Sequence, residues 1–152
     1  MHELPRQLTV AELEELFEGR TVLVERLAGL EDPLERANEV LAELSEEEKI
    51  EALNAHPAIG ARTGLSERSA AEQGNDAEAA VLTELAYQNQ VYEEKFGFRF
   101  VVFVDRRPKV EILDVLRDRL ARSREEELDT AGRELVAIAR ARWEQQGWTR
   151  TT

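Results

Sequence analysis

Hydrophobic residues along the 152-residue chain recur mostly at helical spacing, and the polar residues between them mark where helices start. A side-chain oxygen followed three residues later by Glu is the capping-box pattern, in which each side chain satisfies a backbone N–H that the first turn leaves free. Thr9 with Glu12 opens a short helix towards Phe17, which Gly19 can end. Asp32 with Glu35 opens the next, with Pro33 at the first helical position, and it runs to about Leu44. Ser45 with Glu48 opens a further helix that stops before Asn54-Ala55-His56-Pro57, because the residue preceding a proline is pushed out of helical geometry. Residues 58–65 carry two glycines and read as loop, and 67–73 as a short helical piece closed by Gly74. Asn75 with Glu78 opens a long helix to about Phe96, with Gly97 as its stop. Pro108 opens a helix with Ile112, Leu113, Leu116 and Leu120 on its inner face, and Ser123 with Glu126 opens the last, to about Trp143 or a little beyond.

Residues 98–104 alone have strand-like composition, and one strand has nothing to pair with, so the segment is expected to be a buried extended connector. The pattern predicts an all-α, single-domain multi-helix bundle over residues 1–152, with that one connector.

Charge and composition narrow the chemistry. Acidic residues outnumber basic ones 32 to 20, a net charge of −12, so the global field repels nucleic acid and anionic membrane surfaces. An anionic ligand must find a local positive site. There is no cysteine, which removes disulfides, thiolate nucleophiles and Cys-based zinc sites. No apolar run approaches a bilayer span and no basic start precedes an apolar stretch, so a soluble, cytoplasmic protein is expected.

Of the two histidines, His2 lies in a terminal segment, which leaves His56 as the side chain that exchanges protons near neutral pH within a structured region. It is either an acid–base group or a helix-end histidine that satisfies a carbonyl. With one structured His and no Cys, a metal site has only carboxylates to complete it. Ser69, Glu72 and Gln73 share one face of a helical turn, as a polar cluster or as a solvated surface. Leu128, Ala131, Leu135 and Ile138 form the apolar stripe of the last helix, and Arg142 continues it inward. Its fork of donors suits a carboxylate or a ring carbonyl, or else the stem lies on the core with the head in water. The connector can offer main-chain N–H and C=O groups to a ligand, because no strand claims them.

Ala55-His56-Pro57-Ala58-Ile59-Gly60, Ser69-Ala70-Ala71-Glu72-Gln73, Asn89-Gln90-Val91-Tyr92, Phe96-Gly97-Phe98, Phe100-Val101-Val102 and the stretch from Ile138 to Arg142 occur in this order. Together they resemble the 2-oxo-4-hydroxy-4-carboxy-5-ureidoimidazoline (OHCU) decarboxylase family of urate breakdown, over roughly Ala52 to Trp143. The resemblance implies an all-α, homodimeric lyase that takes a small-molecule substrate and needs no metal or organic cofactor. It implies His56 and Glu72 as catalytic residues, and Pro57, Ser69, Gln73, Val102 (through its main chain) and Arg142 as substrate-binding ones. Two other readings are a non-catalytic helical interaction protein, in which Arg142 pairs structurally with Glu72, and an enzyme acting on another ureido or hydantoin compound.

Overall fold

A computed structural model of the chain describes residues 7–56 and 76–150, with the side chains of 7–56 and 79–145. Seven helices occur among the described residues: α1 Val10–Phe17, α2 Val22–Ala28, α3 Pro33–Glu43, α4 Glu46–Ala55, α5 Asp76–Phe96, α6 Lys109–Leu120 and α7 Arg124–Arg150. No sheet forms among these residues, as the spacing of apolar positions requires.

Three of the capping boxes form. Thr9 accepts from the Glu12 N–H at 3.1 Å while Glu12 accepts from the Thr9 N–H at 2.9 Å. The Ser45 and Glu48 pair does the same at 3.2 and 3.0 Å, and Ser123 with Glu126 at 3.2 and 3.1 Å. Each such cap contributes about 1 kcal/mol. The Asp32 box does not form: Asp32 takes a left-handed conformation (φ 52°) and makes no side-chain cap bond, and only Pro33 and the Asp32 backbone carbonyl start α3. The first helix ends one residue before Gly19, at Glu18, itself left-handed with φ 68°. Gly97 closes α5 as expected, at φ 81°, its N–H donating to the Glu93 carbonyl at 2.9 Å. The cap expected from Asn75 and Glu78 lies outside the described residues, as do the 58–65 loop and the 67–73 helical piece.

Helix α2 has no counterpart in the sequence pattern. Thr21 caps it, accepting from Val24 N–H at 3.4 Å, but no Glu answers Thr21 three residues on, and seven residues are too few for periodicity to declare itself. Leu23, Val24 and Leu27 nevertheless bury completely.

At 27 residues, or about 40 Å, α7 is the spine. Helices α1, α3 and α4 pack on it, α2 packs on α1, α3 and α4, and α5 pairs with α6. Residues 98–104 lie between helices, with no strand pairing among the described residues. Phe98, Phe100, Val101 and Val102 are buried there, and Tyr92, Phe96, Phe98 and Phe100 meet with ring centroids 4.6 to 6.0 Å apart. Side chains take over the hydrogen bonds a sheet would supply. Asn54 Oδ1 accepts from the Arg99 N–H at 3.0 Å, Arg119 Nη1 donates to the Val101 carbonyl at 2.7 Å, and Glu134 accepts from the Phe103 N–H at 3.1 Å. The expectation of a connector with unclaimed backbone therefore holds at fewer positions than the sequence suggests. At Val102 it does hold: its N–H and C=O pair with no other group among the described residues.

Candidate active site

His56 is the C-cap of α4, in extended geometry (φ −78°, ψ 137°), with its N–H donating to the Leu53 carbonyl at 3.1 Å. The proline that follows it in the sequence is a physical reason for that break. Arg99, from the start of the connector, grips the same turn: its Nη1 donates to the His56 carbonyl at 2.8 Å and the Asn54 carbonyl at 3.3 Å. Glu93 holds Arg99 from behind, 3.8 Å from Nε. The turn between α1 and α2 presses on the other flank, so closely that a Cβ on Gly19 would lie 3.2 Å from the Ala55 Cβ.

Arg142 reaches this region from α7. Its Nη1 donates to the Leu16 carbonyl at 3.1 Å and lies 2.6 Å from Glu18 Oε1, both on the closing turn of α1. Its other guanidinium nitrogens pair with no group among the described residues. Both side chains of this pair stay about a third exposed, 28% for Arg142 and 32% for Glu18, so the pair faces an accessible space.

The His56 imidazole is half-buried, and its pKa is pushed down to about 4. Burial is the first cause, the positive charge of Arg142 the second; Glu18 pulls the other way and Arg99 adds to the lowering. At neutral pH the ring is uncharged, with one nitrogen free to accept a proton. Its Nδ1 is buried and finds no hydrogen-bond partner among the described residues. A buried polar atom in that condition is costly unless something else meets it.

Of the residues singled out in the sequence, His56 and Arg142 come within electrostatic reach of each other. Val102 lies three residues beyond the Arg99 that clamps the His56 turn. Pro57, Ser69, Glu72 and Gln73 lie outside the described residues. Glu18, Arg99 and Asn54 were not singled out. The inward stripe of α7 leads to Arg142, but no local pattern says which loop supplies its counter-charge or which side chain ties the connector to α4. Among the described residues no three His, Asp or Glu side chains gather as a metal ligand set.

The family model of OHCU decarboxylase matches residues 2–144. The chain belongs to that family. Its match takes in the N-terminal third, where the motifs of the sequence were least distinct, and so includes the α1 turn that carries Glu18. A 2-oxo-4-hydroxy-4-carboxy-5-ureidoimidazoline decarboxylase of Halalkalicoccus jeotgali is 34% identical over 106 residues, 66% of this chain and 60% of that protein. A uric acid degradation bifunctional protein of Arabidopsis thaliana is 36% identical over 104 residues, 61% of this chain and 32% of that protein. The chain thus spans about 60% or less of the length of these two curated relatives. An OHCU decarboxylase crystallised in the presence of (S)-allantoin superposes with a TM-score of 0.71 at 26% identity, covering 88% of this chain and 96% of the other.

Proposed function

We propose that this OHCU decarboxylase family member removes CO2 from 2-oxo-4-hydroxy-4-carboxy-5-ureidoimidazoline and protonates the ring to give (S)-allantoin. In that substrate, carbon 4 carries a hydroxyl and a carboxylate beside an imine-like carbon 5. When the bond to the carboxylate breaks, its electron pair forms the bond between carbons 4 and 5, and the imine electrons move onto nitrogen, which takes a proton. Tautomerisation then makes carbon 4 a carbonyl and adds a proton to carbon 5. The substrate is its own electron sink, so the reaction does not call for a cofactor to hold a carbanion.

The protein's part is positioning, proton traffic and the choice of face. His56 handles the proton of the 4-hydroxyl, a task for which an imidazole uncharged at neutral pH is suited. Glu72 hydrogen-bonds the hydroxyl or a ring N–H and holds the tautomer that sheds CO2. Ser69, Gln73 and Arg142 orient the carbonyl and ureido groups, Pro57 lines the pocket beside His56, and Val102 contributes main-chain groups that no other described residue claims. The observation that carries this reading is the buried Nδ1 of His56, partnerless among the described residues, within electrostatic reach of an Arg142 guanidinium with donors unpaired among them. We also infer a cytoplasmic homodimer with no metal or nucleic-acid partner; no described helix is long and apolar enough to cross a membrane.

The test is direct. OHCU is generated from urate with uricase and the hydrolase that follows it, the protein is added, and absorbance and circular dichroism are followed. Faster decay with optically active allantoin is expected. Unchanged decay to a racemate would sink the proposal.

A further inference from the structure

The α1 turn holds its backbone in a way its sequence does not favour. Glu18 adopts φ 68°, a left-handed conformation in which a non-glycine residue is strained, although glycine is the very next residue. Strain of this kind persists where the surroundings over-determine it, and it concentrates at binding sites. Here the conformation sets the Glu18 carboxylate 2.6 Å from Arg142 Nη1 while the backbone of the same turn, at Leu16, accepts from that nitrogen. One edge of the guanidinium is thereby fixed, and its remaining N–H groups are left without partners among the described residues. Side by side, about a third exposed, and within electrostatic reach of His56, stand a fixed donor fork and an anionic acceptor.

A ureido group presents the complementary pair, a carbonyl that accepts and N–H groups that donate. We propose that Glu18 is a substrate-binding residue that reads the ureido arm: its carboxylate accepts the ureido N–H groups while the free edge of Arg142 donates to the ureido carbonyl. The assignment rests on the OHCU reading for the identity of the ligand, and it adds a residue and a specificity to that reading. Arg142 alone would accept any carbonyl or carboxylate. Glu18 beside it repels a carboxylate and selects a group that carries its own donors, so the pair discriminates a urea from an acid.

The experiment compares two ligands on three proteins by calorimetry: (S)-allantoin, which has the ureido arm, and hydantoin, the ring without it, against wild type, Glu18→Gln and Glu18→Gly. Loss of a charge-assisted contact should weaken allantoin binding about tenfold or more, with hydantoin unchanged within about twofold. Glu18→Gly controls for folding, because glycine suits the left-handed backbone and the variant should melt no lower than wild type. In turnover, the KM for OHCU should rise more than kcat falls, the sign of binding lost equally in ground and transition states. Equal weakening of both ligands, or of neither, would overturn the assignment. If wild type fails the OHCU assay while the Glu18 variants still lose allantoin selectively, the reaction falls and the ureido site stands. If wild type binds neither ligand, both fall.

Discussion

Two regions of the molecule are built from the same kinds of group, and they behave differently. Around Glu127, the Tyr92 hydroxyl donates to Oε1 at 2.6 Å, Arg119 Nε donates to the same oxygen at 2.7 Å, and Arg119 Nη1 donates onward to the Val101 carbonyl. The second oxygen, Oε2, lies 3.3 Å from Arg122 Nη1, close enough to pair in charge though not aligned as a hydrogen bond. Glu127 is fully buried and Arg119 nearly so, with the guanidinium 4.7 Å from the Phe100 ring centroid. Around His56 there is again an arginine, a glutamate and a titratable ring, but Arg142 and Glu18 are a third exposed and Nδ1 of the ring is partnerless among the described residues. Composition does not separate the two groups. Exposure does: one ion pair is sealed in the core, and the other is open to a ligand.

The largest effect expected from this contrast is on stability. Arg119→Ala leaves the Glu127 carboxylate buried without its main counter-charge and frees the Val101 carbonyl, and should lower the unfolding free energy by about 3–5 kcal/mol. Urea denaturation measures it. A loss under 1 kcal/mol would mean that water reaches the knot and that the two regions differ less than their burial says.

His56→Asn should do the opposite, leaving the fold nearly intact and lowering kcat for OHCU by about 100-fold or more. A melting temperature that falls steeply, with activity of the surviving fraction unchanged, would place His56 with the structural group.

The same residue gives the pH dependence its sign. In the unfolded chain His56 takes up a proton near its ordinary value of 6.5, whereas in the fold it resists until about 4. Between these values the unfolded state holds the extra proton, so stability falls as pH falls through that window and levels off below it. Allowing for the ring's partial exposure, wild type should lose about 2 kcal/mol across the window beyond what His56→Asn loses. Paired denaturation curves at pH 7, 5.5 and 4.5 read the difference. Parallel curves would show that the imidazole is not held neutral.

Much of the fold was legible because its signals are local. The Thr9, Ser45 and Ser123 boxes occupy four residues each and form wherever the backbone lets them. Asp32 fails because the chain arrives in a left-handed turn, which its own four residues do not encode. Arg119 is the instructive omission. It continues the inner face set by Ile112 and Leu116, and the structure buries it there, while Leu120, the residue expected inward, is only partly covered. Assigning an arginine to a core face requires knowing that Glu127 and the Val101 carbonyl wait for it, and both come from other elements. The candidate site divides the same way. The proline after His56 and the stripe leading to Arg142 are readable along the chain, whereas Arg99 and Glu18 join the site only through contacts across 43 and 124 residues of separation, and Asn54, two residues before His56, shows its role only by meeting Arg99.

The smallest of these effects is the sharpest probe of the buried group. Tyr92→Phe removes one hydroxyl and leaves a ring of the same shape among Phe96, Phe98 and Phe100. Burial, and then the bond to Glu127, hold the Tyr92 phenol well above its ordinary range, so at neutral pH it is a donor. Without it, Glu127 Oε1 still accepts from Arg119 Nε, so no charge is stranded and the loss should be about 1 kcal/mol. Activity on OHCU should not change beyond that small shift in folded fraction. A change in KM with stability untouched would mean that Arg119, released from the hydroxyl, no longer fixes the Val101 carbonyl, and that the connector carrying Val102 is tuned from the buried group. The two regions would then be one system, with the knot setting the geometry of a main-chain contact in the site.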